Sequence, residues 1–271
     1  LTVLMLLFAV IFGCCQACAG SAGAAGLEAS PTEKKTAQVR WPKDKLTMGE
    51  DGAPVLQVYV VEEKRVEKKN LENYVEGVLA GEMKNDWPLE ALKAQAILAR
   101  TFVLKFIQEK ESQYSGADIS TDIEEAQAYD ASAVNERIRQ AVRETRGLVL
   151  SCEGELPYAW FHAHSGGMTE YARAGLGWER GESGRAVTLE IDGQSVNASD
   201  LRLALGSTKM RSTLLTSLKM QNGKVHMAGK GYGHGVGMSQ WGAYGMAQDG
   251  KTAEQIVKHY FQKVEITQAW N

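Results

Sequence analysis

Two consecutive amphipathic helical patterns constrain the fold of this chain more strongly than any other feature. In the first, apolar side chains recur at the spacing of one helix face, at Leu71, Tyr74, Val75, Val78 and Leu79. Asn70 precedes this run as a suitable N-cap, and Glu72 falls in the first helical turn. The second pattern begins near Pro88 and carries on one face Leu89, Leu92, Ala96, Ala99, Val103 and Phe106. We therefore predict two amphipathic helices separated by a break at residues 84–88.

Short strand patterns are interleaved with the helices. Apolar and β-branched residues predict strands at 55–61, 148–152, 156–162 and 187–191, with an exposed strand between residues 62 and 69. Glu153-Gly154-Glu155 predicts a hairpin between the second and third of these strands, and Asp192-Gly193 predicts another turn. A third helix is predicted over Asn135–Thr145, and Thr252 to Gln255 form a capping box that opens a last one. Because adjacent strands are hairpin-linked, we predict an α+β fold around one groove, not a doubly wound parallel sheet.

The first twelve residues are uncharged and largely apolar. A membrane-spanning helix needs about 20 apolar residues, so this run predicts a secretory signal. Ile11 to Cys14 resembles a bacterial lipobox, in which Cys14 would be lipidated, whereas Ala17-Cys18-Ala19 fits a signal-peptidase site. The lipobox is preferred because the apolar run ends directly against it, and a buried N-terminal helix is the third interpretation. With either type of processing the protein acts outside the cytoplasm, in the cell envelope.

The cysteines support this division of the chain. Cys14, Cys15 and Cys18 lie in the leader, and only Cys152 lies in the remaining body, so the fold is expected to form without a disulfide framework. The segment after the leader is rich in Ala, Gly, Ser and Lys, which is typical of a flexible tether. We predict a leader over residues 1–19, a tether over 20–50 and one domain over 51–271.

The charge balance excludes one class of partner. With 33 acidic against 30 basic side chains and a net charge of -3, the chain lacks an excess of Lys and Arg. Nucleic-acid-binding proteins need such basic clusters for their phosphate contacts, so no nucleic acid is expected to bind.

Glu82 is the most informative carboxyl group. It lies four residues after Val78 and seven after Val75, so continuing the first helix places it on the apolar stripe. Desolvation there would favour the neutral form and raise the pKa of the carboxyl, as a general acid requires at neutral pH. If Gly81 ended the helix instead, Glu82 would project into water. The spacing alone leaves both interpretations open.

Glycines alternate near the C-terminal end of the chain, at Gly229, Gly231, Gly233, Gly235 and Gly237. In an extended segment one edge would be bare backbone, and one face would carry Lys230, Tyr232, His234, Val236 and Met238. Bare backbone permits close approach of a ligand or of another chain segment. Within residues 229–245 neither G-x-G-x-x-G nor G-K-S/T occurs, so this segment is not predicted to be a phosphate-binding loop. From the spacing alone, a structural strand whose glycines relieve crowding is preferred.

Two histidines are separated by one residue, at His162 and His164, on a predicted strand beside the one that ends at Cys152. Two histidines and a cysteine could ligate zinc, although Cys152 is not part of a C-x-x-C pair and no H-E-x-x-H occurs. A polar pair that faces a substrate is the preferred interpretation. Ser165 lacks the G-x-S-x-G surroundings of a nucleophilic serine. We therefore expect no metal and no cofactor, with these two histidines and Cys152 as the weak candidates for zinc.

Several segments of the chain resemble the stage II sporulation protein D family, which includes amidase-enhancer relatives. The resemblance is carried, in the family's order, by residues 71–75, 80–83, 87–96, 99–101, 165–170 and 231–243. These ranges make up three motifs, within residues 71–101, 165–170 and 231–243, and three motifs in one order argue against chance similarity. The resemblance implies that residues 51–271 form a single catalytic domain of this family.

The resemblance implies a lytic transglycosylase that cleaves the MurNAc–GlcNAc bond of peptidoglycan, preferably in strands stripped of stem peptides. Glu82 matches the family's catalytic position, where it would protonate the glycosidic oxygen and then accept the proton of the muramic acid 6-hydroxyl. That hydroxyl closes a 1,6-anhydro ring, so neither external water nor the second carboxylate of ordinary glycosidases is required. The alternative is a non-catalytic, peptidoglycan-binding enhancer of an N-acetylmuramoyl-L-alanine amidase.

The resemblance also implies residues that contact the sugar: Arg100, His164, Ser165, Tyr171, His234, Ser239 and Gln240. Arg100 would either position Glu82 or bridge to an acidic neighbour. Some relatives carry zinc near the Ser-Gly-Gly motif, but the cysteines of this chain differ. Twelve residues lie between Glu170 and Ser183, where the relatives carry a longer insert. If that insert forms a wall of the groove, the shorter segment changes the length of glycan that the groove prefers. The implied partners are peptidoglycan strands and a cell-wall amidase, with membrane contact only through a lipid anchor.

Overall fold

The computed structural model describes residues 39–163, 184–191, 194–221 and 224–270. Its helices are α1 Leu71–Glu82, α2 Leu89–Glu109, α3 Glu136–Glu144, α4 Ala198–Leu205, α5 Gln240–Gln248 and α6 Ala253–Tyr260. Its strands are β1 Thr47–Met48, β2 Pro54–Val60, β3 Arg65–Asn70, β4 Ile119–Ser120, β5 Leu148–Ser151, β6 Phe161–His162, β7 Thr188–Ile191, β8 Gln194–Asn197, β9 Leu214–Gln221, β10 Lys224–Lys230, β11 Met238–Ser239 and β12 Glu265–Gln268. Helices are combined with small, mostly antiparallel sheets, which confirms the predicted α+β class.

The predicted tether is partly folded. Val39 and Leu46 are buried in the main core, and β1 pairs with β2. The prediction of a tether over residues 20–50 is therefore wrong for residues 39–50, because apolar side chains there find partners in the domain. The predicted leader over residues 1–19 lies outside the described residues, within which no helix is long and apolar enough to cross a membrane.

The strand, turn and helix that lead to Glu82 follow the predicted order. β2 alternates buried and half-buried side chains and pairs antiparallel with the more exposed β3. Asn70 caps α1, since its side-chain oxygen accepts a hydrogen bond from the Glu72 N–H at 2.9 Å. The apolar stripe of α1 is fully buried at Leu71, Val75 and Val78. This stripe fixes the rotation of α1 and hence the direction in which its last residue points.

α2 lies at the centre of the main core and contacts α1, α3, α5 and α6. Its side chains at Leu92, Ile97 and Leu104 are almost completely buried. Each such side chain stabilises the fold by roughly 1.5–3 kcal/mol relative to its exposed state. α2 therefore holds α1 and α5 in one rigid arrangement, which brings Glu82 at the end of α1 close to Gln240 at the start of α5.

One predicted hairpin does not form. β5 pairs antiparallel with β12, from the C-terminal end of the chain, while β6 pairs in parallel with β11. Only the turn itself exists, because Cys152 and Glu155 exchange backbone hydrogen bonds of 2.8 and 3.0 Å. The chain then diverges, since each strand finds a distant partner that covers it in the core. The hairpin of β7 and β8, by contrast, is formed as predicted.

Residues 184–230 contribute a second, smaller core. Leu189, Ala198, Met210 and Leu215 are buried against one another, and β7–β8 and β9–β10 form the antiparallel hairpins around them. The segment that follows β10 leads back to β11 and β6 in the main core.

Gly147 supplies a test of the packing at the β5–β12 junction. Its φ is +66°, and an added Cβ would overlap the carbonyl oxygen of Trp270. We expect Gly147→Ala to lower the free energy of unfolding by about 2 kcal/mol or more, because backbone strain and overlap act together. Gly116→Ala is the matched control, with a φ of +79° and no atom within 4 Å of the added Cβ, and should show only a strain of about 1 kcal/mol. If urea denaturation showed equal losses of unfolding free energy for the two variants, the tight packing assigned to Gly147 would be contradicted.

Candidate active site

Glu82 is the last residue of α1, so the helix does not end at Gly81. Gly81 instead permits close approach of another segment, because an added Cβ would lie 2.6 Å from the backbone nitrogen of Tyr129 and 2.7 Å from the carbonyl carbon of Ala128. One turn earlier, the Gly77 carbonyl accepts a hydrogen bond of 2.9 Å from the Asp130 N–H. The two glycines thus allow residues 128–130 to pack against α1, beside the Glu82 carboxyl.

The carboxyl of Glu82 is held from two sides. Its Oε1 accepts a hydrogen bond of 2.8 Å from the Ala128 N–H, and its Oε2 accepts one of 3.2 Å from Nε2 of Gln240. Burial raises the pKa of the Glu82 carboxyl, and the two hydrogen bonds oppose this effect only in part. Burial thus shifts the equilibrium of this carboxyl toward its neutral form, and the two hydrogen bonds fix its orientation.

The raised pKa predicts a pH-dependent difference in stability between the wild type and Glu82→Gln. The native state favours the neutral carboxyl, so its stabilising contribution is complete below the unfolded-state pKa of about 4.3 and is lost as the pH rises through the higher native pKa. Gln cannot ionise, and its side-chain oxygen can still accept from Ala128. We expect the Gln variant to gain stability relative to the wild type between pH 4 and pH 8, measured by urea denaturation. A pH-independent difference would contradict the raised pKa.

Two adjoining cavities meet at Glu82. One, of about 500 Å³, is lined by residues 80–86. The other, of about 310 Å³, is the aromatic cleft, lined by Glu82, Phe102, Ala126, Gln127, Trp160, Phe161, His162, Ala163, Tyr232, Gly233, His234 and Gln240. Trp160 and Tyr232 keep 37% and 44% of their surfaces exposed. Glu82 is the one acidic residue in the described lining of the aromatic cleft, and space extends from it in two directions.

The two histidines of the aromatic cleft have defined hydrogen bonds. Nδ1 of His234 accepts from the Val236 N–H at 3.2 Å, so Nε2 carries the proton and donates to the Phe161 carbonyl at 2.8 Å. Burial lowers the pKa of His234, and the charges of Arg202 and Arg185 lower it further. Nδ1 of His162 lies 3.1 Å from the Val236 carbonyl, and the two imidazole rings lie edge to face at 5.5 Å. His234 is therefore neutral and serves as a hydrogen-bonding wall of the cleft.

The glycine-rich segment is not an extended strand. Gly231, Gly233, Gly235 and Gly237 all have φ between +71° and +112°, which makes the chain turn repeatedly and separates the side chains that were predicted to share one face. The predicted close approach of another chain segment to these glycines does occur. A Cβ at Gly233 would lie 2.7 Å from the Cβ of His162, and one at Gly235 would overlap the guanidinium of Arg185. The glycines thus let this loop pack against β6 and form one wall of the aromatic cleft.

Arg100 is not a sugar contact. Its side chain has no exposed surface, and it donates to Oε2 of Glu72 at 2.6 Å and to the Leu148 carbonyl at 3.0 Å. The other oxygen of Glu72 accepts from the Gly147 N–H at 3.0 Å and from the indole of Trp270 at 3.1 Å. The prediction of Arg100 as a substrate-binding residue is therefore wrong, and its partner is Glu72 at the opposite end of α1 from Glu82.

The other predicted sugar contacts fall into three groups. Gln240 and His234 line the aromatic cleft. Ser239 is buried, and its hydroxyl accepts a hydrogen bond from the Gly242 N–H at 3.2 Å, so it caps α5. It was predicted to contact the sugar, but it does not line the aromatic cleft. His164, Ser165 and Tyr171 lie outside the described residues.

The described residues do not bring Cys152 and His162, two of the three candidate zinc ligands, together. Cys152 follows β5, which pairs with β12, whereas His162 belongs to β6, which pairs with β11. Within the part of the chain that the structure describes, no three His, Cys, Asp or Glu side chains are grouped so as to hold a metal ion.

Sequence reasoning missed two features of the site. Gln127 lines the aromatic cleft and is 3% exposed, and neither atom of its side-chain amide has a hydrogen-bond partner among the described residues. Ala128 supplies a donor to Glu82 through its backbone, which side-chain chemistry cannot reveal. The available signal was the pair Gly77 and Gly81, whose spacing of four residues leaves one face of α1 open to a crossing segment.

Comparisons with known proteins bear on the same residues. A family model described as Stage II sporulation protein matches residues 59–151, and a model of a domain of unknown function matches residues 176–237. The chain is 31% identical over 254 residues to an uncharacterised protein of Brachyspira hyodysenteriae, covering 74% of this chain and 67% of that protein. It is 29% identical over 306 residues to stage II sporulation protein D of Bacillus amyloliquefaciens, covering 90% and 88%. It is 24% identical over 292 residues to the amidase enhancer of Bacillus subtilis, covering 71% of this chain and 40% of the enhancer.

Proposed function

Because this chain belongs to the stage II sporulation protein D family, we propose that it is a lytic transglycosylase that cleaves the MurNAc–GlcNAc bond of peptidoglycan, preferably in strands stripped of stem peptides. A cell-wall-related role follows from the family. The observation that carries the finer proposal is the position of Glu82, a carboxyl with a raised pKa at the junction of two cavities.

Glu82 acts first as the general acid. Its neutral carboxyl donates a proton to the glycosidic oxygen as the bond to C1 of muramic acid breaks. Burial raises the pKa of this carboxyl above its usual range, and the hydrogen bond from Ala128 orients it. Positive charge develops on the sugar ring as the leaving group departs.

The same group then acts as the base. Once Glu82 is ionised, the hydrogen bonds from Ala128 and Gln240 stabilise the carboxylate. The carboxylate accepts the proton of the muramic acid 6-hydroxyl, whose oxygen attacks C1 and closes the 1,6-anhydro ring. Glu82 is thereby protonated again, so one carboxyl completes the catalytic cycle and no external water takes part.

The aromatic cleft suits an N-acetylated sugar. The exposed rings of Trp160 and Tyr232 can pack against the apolar faces of pyranose rings. Gln127 offers a donor and an acceptor that no described residue satisfies, and an acetamido group would satisfy both. The neutral His234 adds a polar wall without a charge that would favour ionisation of Glu82.

The cellular location is part of the proposal. A lipid on Cys14 would hold the enzyme in the envelope, outside the cytoplasm, where peptidoglycan lies. Peptidoglycan strands are then its substrate and the lipid its sole membrane contact. If the alternative signal-peptidase site were used, the same domain would be secreted.

A second function is favoured by the similarity to the amidase enhancer of Bacillus subtilis. In that alternative the aromatic cleft binds the wall without cleaving it, and the chain stimulates a cell-wall amidase. The buried Glu82 carboxyl, with its raised pKa and its hydrogen bond from Ala128, argues for the enzyme, because sugar binding alone does not require a buried acid.

One experiment separates the two functions. The purified protein and its Glu82→Gln variant are incubated with peptide-stripped glycan strands, and with intact peptidoglycan plus a cell-wall amidase. We expect the wild type alone to shorten the stripped strands and the Gln variant to leave them intact. Intact strands with both proteins, together with a rise in amidase activity, would reject the enzyme and support the enhancer.

A further inference from the structure

Tyr158 extends the aromatic surface of the cleft beyond its described lining. Trp160 lines the aromatic cleft, and its ring centre lies 5.5 Å from that of Tyr158, with an angle of 35° between the two rings. Ala159 between them is fully buried, whereas Tyr158 and Trp160 are 41% and 37% exposed. This alternation places residues 158 and 160 on the same face of their segment. The two rings form one exposed aromatic surface, the Tyr158–Trp160 platform, which begins in the cleft and continues outside it.

Tyr158 is held in place by α2, although it is exposed. Its hydroxyl donates a hydrogen bond to the Glu109 carboxylate, and Nζ of Lys105 lies 5.1 Å from the centre of its ring. Lys105 and Glu109 also form an ion pair with each other, one turn apart on α2. A ring that is fixed before a ligand arrives loses little conformational entropy on binding. The anchoring thus favours a contact surface over a side chain that merely faces water.

The residues that anchor Tyr158 continue the wall of the cleft along α2. Phe102 lines the cleft, and Lys105 and Glu109 follow it at i+3 and i+7, on the same face of the helix. At a rise of about 1.5 Å per residue, Glu109 lies about 10 Å further along the helix axis than Phe102. The platform therefore extends the cleft toward the C-terminal end of α2, over a length comparable with that of a disaccharide.

The chemistry around the platform favours a sugar over a protein partner. A pyranose ring has an apolar face, which packs on aromatic rings, and hydroxyl groups at its edge. The Glu109 side chain is 39% exposed beside Tyr158 and can accept hydrogen bonds from such hydroxyls. The cores of protein–protein interfaces are instead depleted of Lys and Glu, the two residue types that border this ring. Because the platform is continuous with the cleft at Trp160, its occupant is a further sugar of the same strand.

We propose that the Tyr158–Trp160 platform binds the glycan strand beyond the aromatic cleft, so that the protein binds and cleaves long strands in preference to short oligosaccharides. A long strand packs a further pyranose ring on Tyr158, whereas a short oligosaccharide ends within the cleft. The inference rests on the proposed function and deepens it, because it assigns a preference for strand length to one residue.

The test compares the cleavage of peptide-stripped glycans of two lengths, a tetrasaccharide and long strands, as kcat/KM per cleavable bond. We expect the wild type to prefer the long strands. Tyr158→Ala should lose roughly 3- to 10-fold in kcat/KM on the long strands alone, the range for one aromatic contact. Tyr158→Phe keeps the ring and should retain most of the preference. Val66→Ala shortens a side chain of similar exposure on β3 that lines neither cavity, and this matched control should cleave both lengths like the wild type.

Each outcome decides the proposal. Equal kcat/KM per bond of the wild type on the two lengths would overturn it, whether or not the variants fold. An equal loss of Tyr158→Ala on both lengths would give the ring a structural role and would also overturn it. If Tyr158→Ala cleaved both lengths normally but no longer stimulated a cell-wall amidase, the platform would bind a protein and the proposal would fail.

Calorimetric binding of the two glycans to Glu82→Gln, with and without Tyr158→Ala, separates this inference from the proposed function. We expect the long strands to bind more tightly than the tetrasaccharide, and Tyr158→Ala to remove this difference. If the binding showed this dependence on Tyr158 but the wild type cleaved neither glycan, the enzyme would be rejected and the platform would stand. If the wild type cleaved both glycans but binding did not depend on length, the platform would be rejected and the enzyme would stand.

Discussion

Glu82→Gln is expected to reduce the rate of glycan cleavage by about three orders of magnitude, because one group supplies both the acid and the base. Gln keeps the shape of the side chain and can accept the hydrogen bond from Ala128, so binding of the strand should change little. The loss should therefore appear in kcat and leave KM nearly unchanged. Single-turnover kinetics with peptide-stripped strands measure both quantities.

Glu76→Gln is the matched control for this variant. Glu76 lies on the same helix, and partial burial also raises the pKa of its carboxyl, but it does not line either cavity at Glu82. We expect Glu76→Gln to retain wild-type activity. If both variants lost activity equally, a general effect on α1 would explain the result and the assignment of Glu82 would fail. A raised pKa is thus common to both residues, and only the cavities and hydrogen bonds single out Glu82.

Arg100→Met is expected to destabilise the protein by about 3–5 kcal/mol, since it leaves the buried Glu72 carboxylate without its counter-charge. The loss is large because this carboxylate joins the start of α1 to α2, to Gly147 and to the indole of Trp270. The double variant Glu72→Gln with Arg100→Met should recover part of this loss, because no unpaired charge then remains buried. Urea denaturation of the two single variants and the double variant measures the coupling.

The exposed pair of Arg143 and Glu136 provides the comparison. Its side chains are 64% and 74% exposed and 3.4 Å apart, so Arg143→Met should change stability by no more than about 0.5 kcal/mol. If Arg100→Met were as mild as Arg143→Met, the buried network would not hold the helices together. If Arg100→Met folded but bound the sugar more weakly, Arg100 would contact the substrate as first predicted.

Local patterns predicted the helix on which Glu82 lies. The apolar stripe of α1, the Asn70 cap and the capping box at Thr252 all formed as predicted, because each depends on residues within a few positions of one another. The position of Glu82 on the stripe follows from the same periodicity. Its two hydrogen-bond donors, Ala128 and Gln240, come from distant segments, and periodicity says nothing about which segments those are.

The errors arose where the outcome depends on long-range pairing. Arg100 was expected either to position Glu82 or to bridge to an acidic neighbour. Glu72 and Glu82 lie about 15 Å apart along one helix, and only the packing of α1 on α2 selects Glu72 as the partner of Arg100. The predicted hairpin after Ser151 failed because β12, more than a hundred residues away, pairs with β5. The glycine alternation was visible in the sequence, but glycine permits both extended and left-handed backbones, so the pattern could not distinguish a strand from a loop.

The chemistry of the new chain end tests the central claim most directly. Peptide-stripped strands are cleaved in water enriched in oxygen-18, and the products are analysed by mass spectrometry. If Glu82 directs the 6-hydroxyl to C1, every new muramic acid end is a 1,6-anhydro ring, one water lighter than a reducing end and free of the heavy isotope. Reducing ends that contain oxygen-18 would show attack by external water and would contradict the single-carboxyl mechanism.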